Sequence, residues 1–305
     1  MLSLILLPKL VISADFYISS QTSNEISRFN SDTLQVEQSF DVPQGPVHLV
    51  FDHGSQIFYI SHPDKGLVSV FDTKTHELLK VIETGGQPFG MVLDTEKEKL
   101  FITDWSRDAV LVINTISQQM VDILAVGKSP AGIAIDTIGR KIFVANRGSD
   151  SVTVLDADTP KLLATIKTGE SPYALAFNQQ KNQIYVGCVK SNLVTVIDAN
   201  SYQVIAKVGS IKTPYGVAVA TDGESFYVTS QAENKLVVFD ANTLRVTNRI
   251  SSGKMPESVS LSQNNQHAFV VNWFSNSLSV IDLIADKQIR SVPLRSGSRI
   301  ITLAN

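Results

Sequence analysis

A chain of 305 residues that is 43% hydrophobic and 18% charged has the composition of a folded globular protein, not of a disordered one. Its net charge of −3, with no basic run, argues against a polyanion-binding face. The single cysteine, Cys188, excludes an internal disulfide, a cysteine-ligated zinc and a Cys-x-x-Cys redox pair.

Residues 1–14, MLSLILLPKLVISA, are apolar and end in small residues. They read as the hydrophobic and cleavage regions of a secretory signal, with Ser13 or Ala14 the last residue removed, although no basic residue precedes the run. The run is too short to span a bilayer, and no later segment reaches that length. A periplasmic or secreted location is therefore expected.

From Asp15 onward the chain repeats every 42 residues without an insertion. Pro46, Pro88, Pro130, Pro172, Pro214 and Pro256 share one column; Asn30, Asp72, Asn114, Asp156, Asp198, Asp240 and Asp282 share a second. A third holds Asn24, Gly66, Asp108, Asp150, Asn192, Asn234 and Asn276. Each unit carries four short runs rich in Val, Ile and aromatics, bounded by Gly, Asn, Asp or Pro. In the unit starting at Pro172 they are YALAF, QIYVG, LVTVID and VIAKV. Their length and alternation predict strands, and four antiparallel strands per repeat make the blade of a β-propeller. The chain enters at strand B (Phe16 to Ser19), completes six full blades, and ends on a lone strand A (Ile300 to Leu303). The fold class is all-β: a seven-bladed propeller over 15–305, a single domain whose seventh blade joins both chain ends.

Residue types kept in nearly every unit serve the scaffold. The Asp/Asn column ending strand C is expected to form turns with backbone amides, not a metal cage, and the Asn24–Asn276 column to support the B–C hairpins. The prolines precede strand A, where a missing N–H costs no ladder bond. Strand A holds small residues, such as Gly90, Gly132, Ala174 and Gly216, because blades converge at the axis. His48 departs from that pattern, and a buried, satisfied imidazole is expected there.

Recognition should sit where the units disagree. The D–A and B–C connections emerge on one face, which brings together Val47, Phe89, Ala131, Tyr173, Tyr215, Glu257 and Arg299 after the prolines. His62, Asp104, Trp105, Asn146, Arg147, Lys190, Gln231, Asn272 and Trp273 follow strand B. Trp105 and Trp273 share a column and are expected to face each other across the mouth. The expected site is a funnel of Phe89, Trp105, Arg147, Tyr173, Tyr215, Glu257, Trp273, Arg299, His62 and Asp104. Glu257 and Arg299 are expected to pair at its surface. Apolar walls with few polar groups suit a ligand or partner pocket.

The units FVANRGSDSVTVLDADT, YVGCVKSNLVTVIDANS and YVTSQAENKLVVFDANT, each followed by a Gly/Pro turn, resemble the YVTN-repeat (YncE-like) β-propellers. The resemblance covers residues 15–305 and is specific for fold. For function it implies several roles: exported proteins of unknown role, a DNA-binding member, surface-layer binding modules, and relatives among propeller subunits of amine dehydrogenases. No nucleophile elbow, HExxH helix, P-loop or haem-attachment motif is present. The leading expectation is an exported, non-catalytic, monomeric binding module, without metal or cofactor, for a small ligand or protein. The alternatives are an enzyme, for which His62, Asp104 and Arg147 would be the hydrolytic set, or an accessory subunit of a periplasmic redox or hydrolytic system. Contact with single-stranded nucleic acid through Arg147, Lys190 and Arg299 is disfavoured by the acidic balance.

Overall fold

The second strand of each unit is apolar at consecutive positions because both of its faces are buried. In Lys141–Asn146, Ile142 and Val144 pack toward the preceding blade, whereas Phe143 and Ala145 pack toward the following one. Side chains alternate with a period of two, so a four-residue apolar run supplies two interfaces. The computed structural model, which describes residues 15–159 and 161–304, repeats this arrangement around a ring. The expected export segment, residues 1–14, lies outside the described residues.

Seven four-stranded antiparallel sheets form the ring, each following chain order from the innermost strand outward except at the closure. Blade 5 is representative, with strands A to D at Pro172–Asn178, Gln183–Cys188, Leu193–Asp198 and Val204–Val208. Blade 1 takes strand A from the C-terminus (Ser298–Ala304) and strands B to D from Asp15–Ser20, Glu25–Asn30 and Gln35–Asp41. The closing register pairs Phe16 with Leu303 and Ile18 with Ile301. In blade 2, strand A is shortened to Leu49–Asp52.

The core is divided to match. Seven hydrophobic clusters lie among the described residues, one at each junction between consecutive blades. Phe226 shows how tightly a junction fits: it stacks between Tyr185 and Phe239, with centroids 4.0 and 4.6 Å apart. Strands B and C are almost wholly buried, whereas the outermost strands are largely exposed.

The two polar columns behave as their chemistry dictates. Asp156 and Asp198 each accept amide hydrogens from the second and third residues beyond them, closing the C–D turns. These bonds hold both carboxyls below the usual aspartate range. Residues of the hairpin column sit in the left-handed region, from Asn276 (φ 45°) to Gly66 (φ 65°). They do more than permit the hairpin. The side chains of Asn24, Asp108, Asp150, Asn192, Asn234 and Asn276 each accept an amide hydrogen from the D–A connection 21 residues ahead. Each hairpin is thereby tied to the segment that leads into the next blade.

At the axis, neighbouring inner strands approach within side-chain distance of each other's backbone. A Cβ placed on Gly132 would lie 2.5 Å from the Tyr173 carbonyl oxygen and 3.1 Å from the Cα of Ala174. Neither atom can rotate away. Gly132→Ala is therefore expected to destabilise the fold by about 1–3 kcal/mol through overpacking. Urea denaturation checks this; an unchanged midpoint would show that the inner strands can spread.

Candidate functional site

The residue after each proline forms the rim of the axial channel, and in four blades a hydroxyl of the preceding blade fixes its backbone. Ser19, Ser61, Thr103 and Thr229 donate to the carbonyl oxygens of Val47, Phe89, Ala131 and Glu257, at 2.6, 2.7, 2.8 and 3.4 Å. Ser61, Thr103 and Thr229 also accept the amide hydrogens of His48, Gly90 and Gly216 on their own blades. The sequence carries a signal for these clamps, namely a 42-residue column of hydroxyls in strand B. It is broken by Ala145, Gly187 and Val271, which hides it among the scaffold columns.

On this rim the aromatics gather. Phe89 lies 5.7 Å from Trp105 and 6.0 Å from Tyr173, and Tyr173 lies 4.1 Å from Tyr215, centroid to centroid. The Arg147 guanidinium stands over both Trp105 (5.5 Å) and Tyr173 (5.9 Å). Among the described residues it has no ion-pair partner, and its buried Nε makes no hydrogen bond. Burial pushes the Tyr173 and Tyr215 hydroxyls above the ordinary tyrosine range. Both phenols therefore stay neutral donors at physiological pH.

Glu257 and Arg299 were expected to pair at the surface. They pair, but inside the channel wall: Glu257 is 3% exposed, and it accepts from Arg299 Nε at 2.8 Å and Nη2 at 2.5 Å. Arg299 Nη1 donates to Gln21 Oε1 at 2.7 Å. Burial raises the Glu257 carboxyl and Arg299 opposes that rise. The rim position points inward toward the axis, so a charge there must find its partner on the adjacent blade.

Two adjoining spaces result. A mouth of about 250 Å3 is bounded by Phe89, Trp105, Arg147, Tyr173, Tyr215 and Arg299, with Gln21, Pro63, Asp64 and Gln87 completing it. Gln21 and Pro63 share the repeat column of Trp105 and Arg147, which is the signal that could have found them. Below it, sharing Phe89, Tyr173 and Tyr215, lies an axial cavity of about 170 Å3 walled by inner-strand glycines and aliphatics.

Three expected members stand apart. Trp273 is 43% exposed beside the exposed Phe274 and borders neither space. His62 and Asp104 are fully buried as the last residues of strand B, one position short of the loop. His62 bonds Ser69 Oγ and the Gln44 carbonyl; Asp104 accepts from the amides of Gln87, Ser106 and Arg107. Both brace their own loops, and neither meets Arg147. His48 is also a correction. His48 lines the axial cavity, and its buried Nδ1 has no hydrogen-bond partner among the described residues. It is the one titratable side chain in a layer otherwise built from Gly90, Gly132, Ala174, Gly216, Ser258 and Ile300.

A family model for YncE-like beta-propellers matches residues 135–264; with the seven-bladed ring it supports placing the chain in that family. No curated protein matches the chain. Among solved structures, a functionally unknown protein from Desulfotomaculum acetoxidans is 15% identical, with 95% of this chain and 99% of that chain covered and a TM-score of 0.85. A candidate 6-phosphogluconolactonase from Bacteroides uniformis is 16% identical over 96% and 99% of the two chains, with a TM-score of 0.81. Hydrazine synthase from Kuenenia stuttgartiensis is 16% identical over 85% and 95%, with a TM-score of 0.75. At these identities the likeness is one of fold.

Burial lowers both His48 and His62 to about 4. An unfolded histidine titrates near ~6.5, so as pH falls from there toward 4 the unfolded state takes up protons first and stability is lost. The slope per histidine is at most about 1.4 kcal/mol per pH unit. Glu257, whose carboxyl is raised, acts in the opposite sense as pH falls through its range. The urea midpoint should drop between about pH 7 and pH 5, and His48→Gln should flatten that drop in part, His62 and His76, which burial also lowers, carrying the rest. An unflattened slope in H48Q would place the titration elsewhere.

Proposed function

We propose that this chain is a non-catalytic binding module, exported by its N-terminal residues, whose mouth takes a small ligand or a projecting side chain of a partner. One observation carries the reading: aromatic side chains and a guanidinium without an ion-pair partner among the described residues converge over an axial cavity, at positions where otherwise matching units diverge. Scaffold positions repeat because every blade needs them. The rim alone runs from Val47 through Phe89 and Tyr173 to Arg299. Largely pre-formed apolar walls with a few fixed polar groups are what small-ligand recognition uses, and Trp, Tyr and Arg supply most of the energy at such surfaces.

Trp105 and Trp273 provide the test, since they share a repeat position and only the first borders the mouth. Native mass spectrometry of the chain after incubation with a small-molecule extract should show a bound adduct. Trp105→Ala should lose that adduct and Trp273→Ala should keep it. The lost ring contact is worth about 0.5–1.5 kcal/mol, so the thermal midpoint of Trp105→Ala should fall by only a few degrees. An adduct that survives Trp105→Ala would place binding outside the mouth.

A further inference from the structure

Two cations, Arg147 and Arg299, and one carboxylate, Asp64, line the mouth, with Glu257 in the wall of the cavity below, and their pairing is uneven. Arg299 is neutralised by Glu257 inside the wall, with both guanidinium edges engaged by Glu257 and Gln21. Among the described residues Arg147 has no such partner. Its planar cation is held between the Trp105 and Tyr173 rings, which orient it without neutralising it, and its Nε is buried with its hydrogen unused. A buried donor left unpaired costs about 1–3 kcal/mol, a cost that a ligand accepting its hydrogen would remove. The carboxylate at the mouth, Asp64, is exposed beside Gly45, and its one hydrogen bond among the described residues comes from Gln21 Nε2, at 3.4 Å.

We propose that the mouth selects small organic monocarboxylates, binding the carboxylate on Arg147 and lodging the apolar body against Phe89, Trp105 and Tyr173. This rests on the binding-module reading and deepens it. A guanidinium fork matches a carboxylate with two parallel N–H···O bonds. One spare cation balances one negative charge, whereas a phosphate monoester would bring a second charge toward Asp64. The body has room: the axial cavity below is about 170 Å3, against about 150 Å3 for a protein cavity that admits benzene. His48 lines that cavity with an unpartnered nitrogen and would meet a polar group on the buried end of the ligand.

The experiment uses the Trp273→Phe chain, so that emission reports Trp105 alone, titrated with benzoate, its uncharged counterpart benzamide, and phenyl phosphate. Benzoate should saturate with a Kd at least tenfold below those of benzamide and phenyl phosphate. Arg147→Gln should raise the benzoate Kd tenfold or more and leave that of benzamide within twofold, with circular dichroism confirming the fold. Equal affinity for benzoate and benzamide, or benzoate binding unchanged in R147Q, overturns the selection of an anion while leaving the aromatic mouth as a binding site. Tighter binding of phenyl phosphate overturns the preference for a carboxylate. No saturable response to any probe overturns the proposal together with the reading beneath it.

Discussion

Ring closure is the constraint on which the rest depends. Ser298–Ala304 pairs with Asp15–Ser20, so the first blade is assembled from both ends of the chain. Without that pairing, the junction of blades 7 and 1 would face water. It contains Phe16, Phe29, Phe269 and Val271, all essentially fully buried, with Phe16 and Phe269 only 4.4 Å apart. Burying one such side chain stabilises the fold by about 1.5–3 kcal/mol. A cluster of this kind therefore holds the seam as firmly as the strand pairing itself, and no sheet edge is left at the axis for another chain to extend.

Closure also sets the dimensions of the site. Seven inner strands drawn around one axis come so close that at Gly90, Gly132 and Gly216 a single added carbon would strike the next blade's carbonyl oxygen. The same crowding lets hydroxyls such as Ser61 and Thr103 reach across to the neighbouring blade and fix the backbone of Phe89 and Ala131. Val47, Phe89, Ala131 and Glu257 are thus held by groups belonging to the scaffold. Side chains there can vary between aliphatic, aromatic and charged without disturbing the ring. This division explains how a strongly repetitive molecule can present one irregular opening.

Electrostatics then distinguishes two arginines that composition alone treats as equal. Arg299 projects from the inner strand into the wall, where burial makes a partner obligatory, and Glu257 on the adjacent blade supplies it. Arg147 leaves from a B–C loop and is steadied by ring faces instead of by a carboxylate. A cation–π contact orients a guanidinium yet leaves its edge able to donate. One charge is therefore structural, and the other remains open to whatever enters the mouth.

By itself the amino-acid sequence determined the architecture: blade count, strand order and closure follow from a 42-residue period and from alternation within each run. The YALAF, QIYVG, LVTVID and VIAKV runs lie within the four strands of blade 5. The Asp and Asn columns bond the backbone amides that their short side chains can reach. Tertiary structure decided the site, for two physical reasons. The first is parity. His62 and Asp104 end strand B instead of opening the loop, and in a strand one position separates a side chain that faces inward from one that faces out. The second is neighbourhood. Trp105 and Trp273 are the same residue in the same repeat position, but Trp105 has Phe89 and Arg147 to stack with, whereas the rim residue of Trp273's blade is Glu257, held by Arg299. A period fixes where each side chain begins; what lies across the blade junction settles where it ends.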